Sequence, residues 1–214
     1  TGDHISDKNV RYNELTGLYW IWKNANAEIT GLCHYRRFFV RPCLKAWNLL
    51  TGKPVQVIDE PYIKKILSSY HVILHNKTFT PGGNQNQLCM KQKCSETGSS
   101  AGLSREILTI MDDTFKRSYP KEFSIYEHVM NRKYAHLLNM MICRKEILGR
   151  YCEWLFPLLY QIEDEIDRQF PGQAHARCMG LIGERLLDVW VLKEKLRVKE
   201  CFAMNTERRD WKPW

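Results

Sequence analysis

The sequence lacks any cysteine pattern that would indicate a metal site or a disulfide framework. Its eight cysteines include no CxxC pair, and their spacing along the 214 residues is irregular. Several of them fall within apolar helix or strand patterns, as small core residues do. The sequence therefore predicts reduced cysteines in a cytoplasmic protein and does not indicate structural zinc.

Long hydrophobic runs are also absent. No segment approaches the roughly 20 apolar residues that cross a membrane, and no signal peptide opens the chain. Internal repeats are absent as well, which excludes solenoid architectures. The first residue is Thr1 rather than Met, so we expect an upstream segment in the full protein.

Positive charge is what the sequence has in excess. Lysine and arginine number 32 against 24 aspartates and glutamates, which gives a net charge of +8 and an isoelectric point of about 9.1. This balance favours an anionic partner, such as a nucleotide, a nucleic acid or an acidic lipid surface. Because the basic residues are scattered and match no nucleic-acid-binding motif, nucleic acid is not the expected partner.

Composition predicts one α/β domain over residues 1–196, followed by a basic C-terminal tail over residues 197–214. With 44% hydrophobic residues the chain can bury a sizeable core. The tail contains Trp211 and Trp214 among basic residues. This composition suits peripheral contact with anionic lipid at the inner face of the cell membrane, and a solvated tail is the other interpretation.

Alternating strand and helix patterns predict the α/β fold. Helical periodicity covers residues 12–24, and an apolar strand covers residues 29–33. A helix then begins at residues 59–61, and the apolar run 71–75 indicates a second buried strand. Further along, helical periodicity covers residues 104–117, 123–132, 145–168 and 179–196, and an extended apolar segment covers residues 134–142.

Two adjacent arginines follow the first strand. The order is His34-Tyr35-Arg36-Arg37-Phe38-Phe39, so two guanidinium groups lie among three aromatic rings and an imidazole. Guanidinium groups suit phosphate, and ligands of α/β sheets bind beyond the carboxyl ends of strands. The stretch therefore predicts a phosphate site. The alternative is an edge strand with solvated arginines and an aromatic inner face.

Three other features have both a functional and a structural interpretation. Asn139, in the apolar segment 134–142, must satisfy its amide through a neighbouring backbone or through a ligand. Glu184 falls near the start of the last helix, where it complements the helix dipole or faces a cleft as a general base. The loop 76–102 carries Lys91 and Lys93, which either reach a bound anion or belong to a surface loop.

Four segments together resemble a bacterial family first catalogued as a domain of unknown function. They read GDHISDKNxxYxELTxLYWIWKN from Gly2, GLCHYRRFF from Gly31, LLNMMICRKEILGRYCEWLFPLL from Leu137 and GLIGERLLDVW from Gly180. Members of that family occur in gene clusters for capsular polysaccharide, exopolysaccharide and O-antigen, and are described as glycosyltransferases. The similarity runs in order from Gly2 to about Trp190.

The resemblance implies a GT-A-like, Rossmann-like sheet that binds a nucleotide-sugar and is flanked by helices. It implies a hexosyltransferase that moves a sugar from a nucleotide-sugar, above all a UDP-sugar, to a glycan or lipid-linked acceptor. Such an enzyme is expected in the cytoplasm, peripherally at the inner face of the membrane.

The resemblance also implies roles for particular residues. Arg36 and Arg37 are the expected stabilisers of charge on the departing diphosphate. Glu184 is the candidate catalytic base or sugar-binding acid. The expected donor-binding residues are Asp7, Lys8, Asn9, Glu14, His34, Tyr35, Arg36, Arg37 and Asn139.

The sequence departs from the family's pattern in two respects. The family has an upstream segment with the first strand of its nucleotide-binding half, and this sequence starts after it. No DxD motif follows a strand, although many GT-A enzymes use one to hold Mg²⁺ or Mn²⁺. The arginines could replace the cation, so metal dependence stays open. A non-catalytic scaffold in a polysaccharide assembly complex and a nucleic-acid-binding protein are the alternative functions.

Overall fold

A computed structural model describes residues 1–41, 56–79 and 103–206, and a five-stranded mixed sheet lies at the centre of this part of the chain. The sheet strands are β1 (Ile29–Leu32), β2 (Arg37–Val40), β3 (Val72–His75), β6 (Met141–Arg144) and β7 (Val198–Asn205). Strands β4 (Thr78–Phe79) and β5 (Tyr134–Ala135) form a separate antiparallel pair.

Helices flank the sheet. Over the described residues they are α1 (Asn9–Tyr12), α2 (Leu15–Asn24), α3 (Glu60–Leu67), α4 (Arg105–Ser118), α5 (Phe123–Met130), α6 (Lys145–Gln169) and α7 (Cys178–Lys193). A 3₁₀ turn at Ser6–Lys8 precedes α1. The predicted α/β class, a sheet flanked by helices, is confirmed. Over these residues no helix is long and apolar enough to cross a membrane.

The strand order is β1-β6-β3-β7-β2, which places β3 at the centre. Strands β3 and β7 run parallel, and the other neighbouring strands run antiparallel. Because successive strand residues point to opposite faces, Val72 and Leu74 enter the larger core and Ile73 enters a smaller one. The apolar run that predicted this strand is therefore buried on both faces.

Helix α7 is buried over most of its length. Every residue from Cys178 to Trp190 is buried, including Glu184, Arg185 and Asp188. The helix contacts α1, α5, α6 and β5. A helix surrounded on all sides must satisfy its polar side chains inside the protein, and this requirement organises the candidate site.

The C-terminal region differs from its prediction. Residues 198–205, assigned from the sequence to a basic tail, form β7 between β3 and β2. The boundary suggested at residue 196 therefore lies just before a strand of the sheet. The interpretation followed the basic composition and the two tryptophans of the segment, whereas the buried Cys201 marks the inward face. The rest of the expected tail, 207–214, lies outside the described residues.

Two helix and strand patterns are interrupted where the backbone turns. The helix expected from Tyr12 to Asn24 is divided between α1 and α2, because Asn13 has a left-handed φ of 49°. The extended segment expected over residues 134–142 is divided between β5 and β6 by Leu138 and Asn139, with φ of 80° and 50°. A left-handed backbone conformation at one or two residues leaves the apolar periodicity unchanged, so neither break could be predicted from the sequence.

The close pairing of β1 with β6 depends on Gly31. A Cβ atom there would lie 2.6 Å from the Met141 carbonyl oxygen and 2.7 Å from Ile142 Cγ1. We expect Gly31→Ala to lower the free energy of unfolding by about 2 kcal/mol, because the added methyl overpacks the strand pair. Urea unfolding monitored by circular dichroism measures this change.

Gly149→Ala is the matched control. Gly149 lies within α6, and a Cβ atom there would meet nothing within 4 Å. Alanine has the higher helix propensity, so this variant should be more stable by up to about 1 kcal/mol. Equal stability of the two variants would contradict the contact at Gly31.

Candidate functional site

Charged and polar side chains meet where β3 ends. His75 is the last residue of β3, and Asn76 and Lys77 follow it. Arg37, the first residue of β2, lies close enough to His75 to act on its charge. Together with His136 and Glu200, these residues are called the strand-end cluster.

His75 is kept neutral by its surroundings. Burial is the main cause that lowers its pKa below the usual value, and the positive charge of Arg37 and the neighbouring His136 lower it further. Glu200 acts in the opposite direction. A buried group whose pKa is shifted by burial and by a nearby charge is a candidate functional residue.

A buried histidine–aspartate pair supports the strand-end cluster. His136 Nδ1 lies 2.5 Å from Asp188 Oδ1, and the His136 backbone N–H donates to Asp188 Oδ2 at 3.0 Å. These two contacts hold both the backbone and the ring of His136 against α7. On the other side of the ring, Nε2 lies 3.6 Å from Glu200 Oε1, and Glu200 pairs with Lys77 Nζ at 2.7 Å.

Over residues 1–41, 56–79 and 103–206, three buried polar atoms of the strand-end cluster find no hydrogen-bond partner. They are His75 Nδ1, Asn76 Oδ1 and His136 Nε2. Most buried polar atoms in proteins are satisfied, so several unsatisfied atoms in one place indicate a ligand or ordered water. This observation makes the strand end a candidate binding site.

A second group of polar residues lies around the first turns of α7. A small cleft is lined there by Asn13, Glu14, Arg177, Gly180, Leu181 and Glu184. Asn139 joins two sides of it, because its Nδ2 donates to Glu14 Oε1 at 2.7 Å and to the Gly180 carbonyl at 3.0 Å. The cleft with Asn139 is called the helix-start cleft.

Close approach of Asn139 to α7 requires a glycine. A Cβ atom at Gly183 would lie 2.9 Å from Leu15 Cδ1 and 3.2 Å from Asn139 Oδ1. Asn139 Oδ1 is itself buried and has no hydrogen-bond partner in the structure. A ligand donor would complete the hydrogen bonding of this amide.

Glu184 is the titrating group of the helix-start cleft. Its side chain is buried, and burial raises its pKa to about 7. Arg185 lowers the pKa, Glu14 raises it, and a hydrogen bond from the Leu138 backbone lowers it. A carboxyl group whose pKa lies near neutrality can accept a proton at physiological pH, as a general base must.

Left-handed backbone conformations are concentrated at the helix-start cleft. Asn13, Leu138, Asn139 and Arg177 have φ between 49° and 80° without being glycine. Each such residue costs of the order of 1–3 kcal/mol, and in proteins these residues cluster at functional sites. Arg177 is also the N-cap of α7, so the strain lies at the start of the helix that carries Glu184.

The two groups adjoin along α7. Glu184 and Asp188 are four residues apart and therefore lie on one face of the helix, about 6 Å apart along its axis. The segment from His136 to Asn139 runs against this face, since His136 contacts Asp188 and Asn139 contacts Gly180. The predicted residues Glu14, Asn139 and Glu184 are thus brought together.

The arginine block lies at the turn between β1 and β2. Arg36 stacks its guanidinium 4.6 Å from the ring centre of Tyr35, and the Arg36 backbone N–H donates to His34 Nδ1 at 3.3 Å. Tyr35 is 74% exposed. Arg37 of this block lies close enough to the strand-end cluster for its charge to lower the pKa of His75.

The N-terminal residues contact other parts of the protein. Lys8 Nζ lies 2.7 Å from Glu163 of α6, Asn9 Oδ1 accepts from Thr16 at 3.3 Å, and Asp7 is exposed. Glu163 is also bound by the Tyr12 hydroxyl at 3.0 Å. This buried carboxylate anchors the N-terminal turn onto α6. Donor binding by Asp7, Lys8 and Asn9 stays a prediction.

Sequence reasoning did not single out His136, Asp188 or Glu200. His136 and Asp188 are 52 residues apart, and each is an isolated polar residue in an apolar segment, which does not by itself indicate a functional site. One signal was available: Asp188 follows Glu184 by four residues in a helix that is otherwise apolar. Lys91 and Lys93 lie outside the described residues.

Within 1–41, 56–79 and 103–206, no group of three histidine, cysteine, aspartate or glutamate side chains is arranged to hold a metal ion. The charge that would face an anion at the strand end comes from Arg37 and Lys77.

Comparison with known proteins gives a family and one fold relative. The family model described as "Domain of unknown function (DUF4422)" matches residues 1–195. The solved apo structure of the WbbM bifunctional glycosyltransferase is similar with a TM-score of 0.77 and 25% sequence identity. The similarity covers 99% of this chain and 39% of that one. The fold is therefore GT-A-like, as expected. No match was found among curated protein sequences.

Stability should depend on pH through Glu184. The folded pKa is about 7 against an ordinary 4.5, so the native state keeps a proton that the unfolded state releases between these values. This contribution makes the free energy of unfolding fall as pH rises from about 4.5 to 7, by up to about 3 kcal/mol. Glu184→Gln removes it, so the variant should gain stability relative to wild type across this window.

Urea unfolding at half-unit pH steps measures the difference between variant and wild type. Glu153→Gln, at an exposed position of α6, is the control and should give a flat difference. A flat difference for Glu184→Gln as well would show that Glu184 titrates normally.

Proposed function

This chain belongs to the DUF4422 family, and we propose that it is a glycosyltransferase that uses a nucleotide-sugar donor. The observation that carries the proposal is the similarity of 99% of the chain to part of a bifunctional glycosyltransferase. That protein is longer, since the match covers 39% of it. The proposal therefore concerns one transferase unit.

The strand-end cluster is the proposed place of the donor diphosphate. Ligands of α/β sheets bind beyond the carboxyl ends of strands, and β3 and β7 are the parallel pair of this sheet. Arg37 lies beside His75 at this end. As the glycosidic bond breaks, negative charge grows on the diphosphate, and a guanidinium already in place stabilises it. Arg36, His34 and Tyr35 are the proposed neighbours of the same ligand.

Glu184 is the proposed base. In the transfer, the acceptor hydroxyl gives its proton to the Glu184 carboxylate while its oxygen bonds to the anomeric carbon of the donor sugar. The bond from that carbon to the diphosphate breaks, and its electron pair leaves with the diphosphate. Glu14 and Asn139, which are joined at 2.7 Å beside Glu184, are proposed to bind sugar hydroxyls.

The biological setting is proposed from the family resemblance and the charge. A net charge of +8 favours a lipid-linked acceptor at an anionic membrane surface. We propose transfer of a hexose, with a UDP-sugar as the first donor to test, in capsular polysaccharide, exopolysaccharide or O-antigen synthesis in the bacterial cytoplasm. Asp7, Lys8 and Asn9 are retained as proposed donor contacts from the N-terminal turn.

Loss of the arginines should abolish turnover without unfolding the protein. We expect Arg37→Ala to lower kcat/KM by about 10²- to 10³-fold, as removal of one oxyanion stabiliser does, and Arg36→Ala to act in the same direction. Donor hydrolysis and transfer are measured with a panel of UDP- and other nucleotide-sugars, with and without EDTA.

Arg168→Ala is the control for this experiment. Arg168 lies at the exposed end of α6 and pairs with Glu165 of the same helix at 2.5 Å, so its loss should leave turnover unchanged. Full activity of both arginine variants would contradict the mechanism. Wild-type protein that turns over no donor in the panel would favour the non-catalytic scaffold, and tight DNA binding would favour the nucleic-acid alternative.

The pH profile should report Glu184. Because the pKa of this carboxyl is about 7, kcat/KM should rise about tenfold per pH unit below 7 and level off above it. Glu184→Gln should lower kcat by at least about 10²-fold, and its residual activity should lose the dependence on pH. Glu153→Gln should keep the wild-type profile, whereas an unchanged profile in Glu184→Gln would remove Glu184 as the base.

A further inference from the structure

The buried imidazoles of the strand-end cluster have ring atoms that the protein leaves unused. His136 is 5% exposed, and its Nε2 has no hydrogen-bond partner in the structure. His75 Nδ1 is likewise buried and unpartnered. Leaving such a group unsatisfied costs of the order of 1–3 kcal/mol, so two of them side by side indicate a missing ligand.

We propose that His136 and His75 bind the donor's diphosphate beside Arg37, and that Asp188 positions His136 for this contact. The inference rests on the proposed function and adds residues to its phosphate site. His75 ends β3 and pairs with Cys201 of β7, and His136 Nε2 lies 3.6 Å from Oε1 of Glu200, the residue before Cys201, so both imidazoles lie at the carboxyl end of β3.

Asp188 determines which ring atom of His136 faces the ligand. Its carboxylate accepts from the His136 backbone N–H at 3.0 Å and lies 2.5 Å from Nδ1. A carboxylate accepts hydrogen bonds, so Nδ1 carries a proton and Nε2 is turned toward the strand end. Asp188 is therefore a positioning residue that acts through His136.

The charges around the two rings are compatible with an anion. Glu200 is the carboxylate on the open side, 3.6 Å from His136 Nε2, and its charge is balanced by Lys77 at 2.7 Å. Asp188 is buried behind the ring. Arg37 then supplies further positive charge. Phosphate oxygens accept hydrogen bonds, so in the proposed complex His75 donates from Nδ1–H, and His136 donates from Nε2–H as an imidazolium whose Nδ1–H is held by Asp188. Hydrogen bonds to a charged ligand are among the stronger ones in proteins.

Binding of inorganic pyrophosphate and of UDP tests the proposal. Isothermal titration calorimetry is carried out on the whole chain at pH 7.5 with EDTA present. His136→Asn keeps an amide donor at the place of Nδ1 and removes the group at Nε2. His75→Gln removes the group at Nδ1. We expect each variant to weaken both ligands about 10-fold, with thermal unfolding close to wild type.

Two further variants separate a binding role from a structural one. Asp188→Asn should weaken pyrophosphate in the same direction, and combining it with His136→Asn should cost nothing more, because Asp188 acts only through His136. His128→Asn, at an exposed position of α5, should bind both ligands as wild type does.

The outcomes distinguish this proposal from the transferase proposal. Wild-type Kd values in both His136→Asn and His75→Gln overturn the histidine proposal. Loss of turnover in Arg37→Ala would still support the transferase proposal in that case. Wild-type protein that binds neither pyrophosphate nor UDP also overturns the histidine proposal. Histidine-dependent pyrophosphate binding in a protein that turns over no donor would keep the phosphate site and remove the transferase.

Discussion

Burial of the polar face of α7 is the constraint on which the candidate site depends. The Gly180 carbonyl, Glu184 and Asp188 recur every four residues and so lie on one face of a helix that is buried from Cys178 to Trp190. A polar group in the interior needs a hydrogen-bond partner. The short segment 136–139 supplies all three partners: His136 contacts Asp188, the Leu138 backbone contacts Glu184, and Asn139 donates to the Gly180 carbonyl.

This pairing explains why the backbone is strained there. His136 and Asn139 both face α7, and the chain between them turns because Leu138 and Asn139 adopt left-handed conformations. Such strain persists where the surrounding structure fixes the backbone, and here the segment packs against the buried core of α6 and α7. The consequence is rigidity: side chains of both the strand-end cluster and the helix-start cleft are held in position before a ligand arrives, which favours electrostatic stabilisation of charge.

Local patterns predicted the parts of the fold that local physics decides. Periodicity located β1, β3 and the long helices, and Asp59 and Ser104 cap helices as their residue types predict. Of the residues singled out in the sequence, Glu14, Asn139 and Glu184 lie together, and their roles stay predictions. The contact between His136 and Asp188 spans 52 residues and depends on the turn at Leu138, which no periodicity encodes. Strand β7 was not predicted because the alternation of apolar and polar residues is weak in this short charged segment. Its partner β3 also lies more than 120 residues earlier in the chain.

The two interpretations of the arginine block turn out to be compatible. Strand β2 is the last strand in the sheet order, as the edge-strand interpretation required, and Phe39 is its buried inner-face residue. Because alternate residues of a strand share a face, Arg37 lies on the same side as Phe39. Phe39 packs in the smaller core with Ile73, and the same alternation places His75 on the face of Ile73. The aromatic residue that secures the edge strand therefore also fixes the face of the sheet on which Arg37 lies, and this is the face of His75.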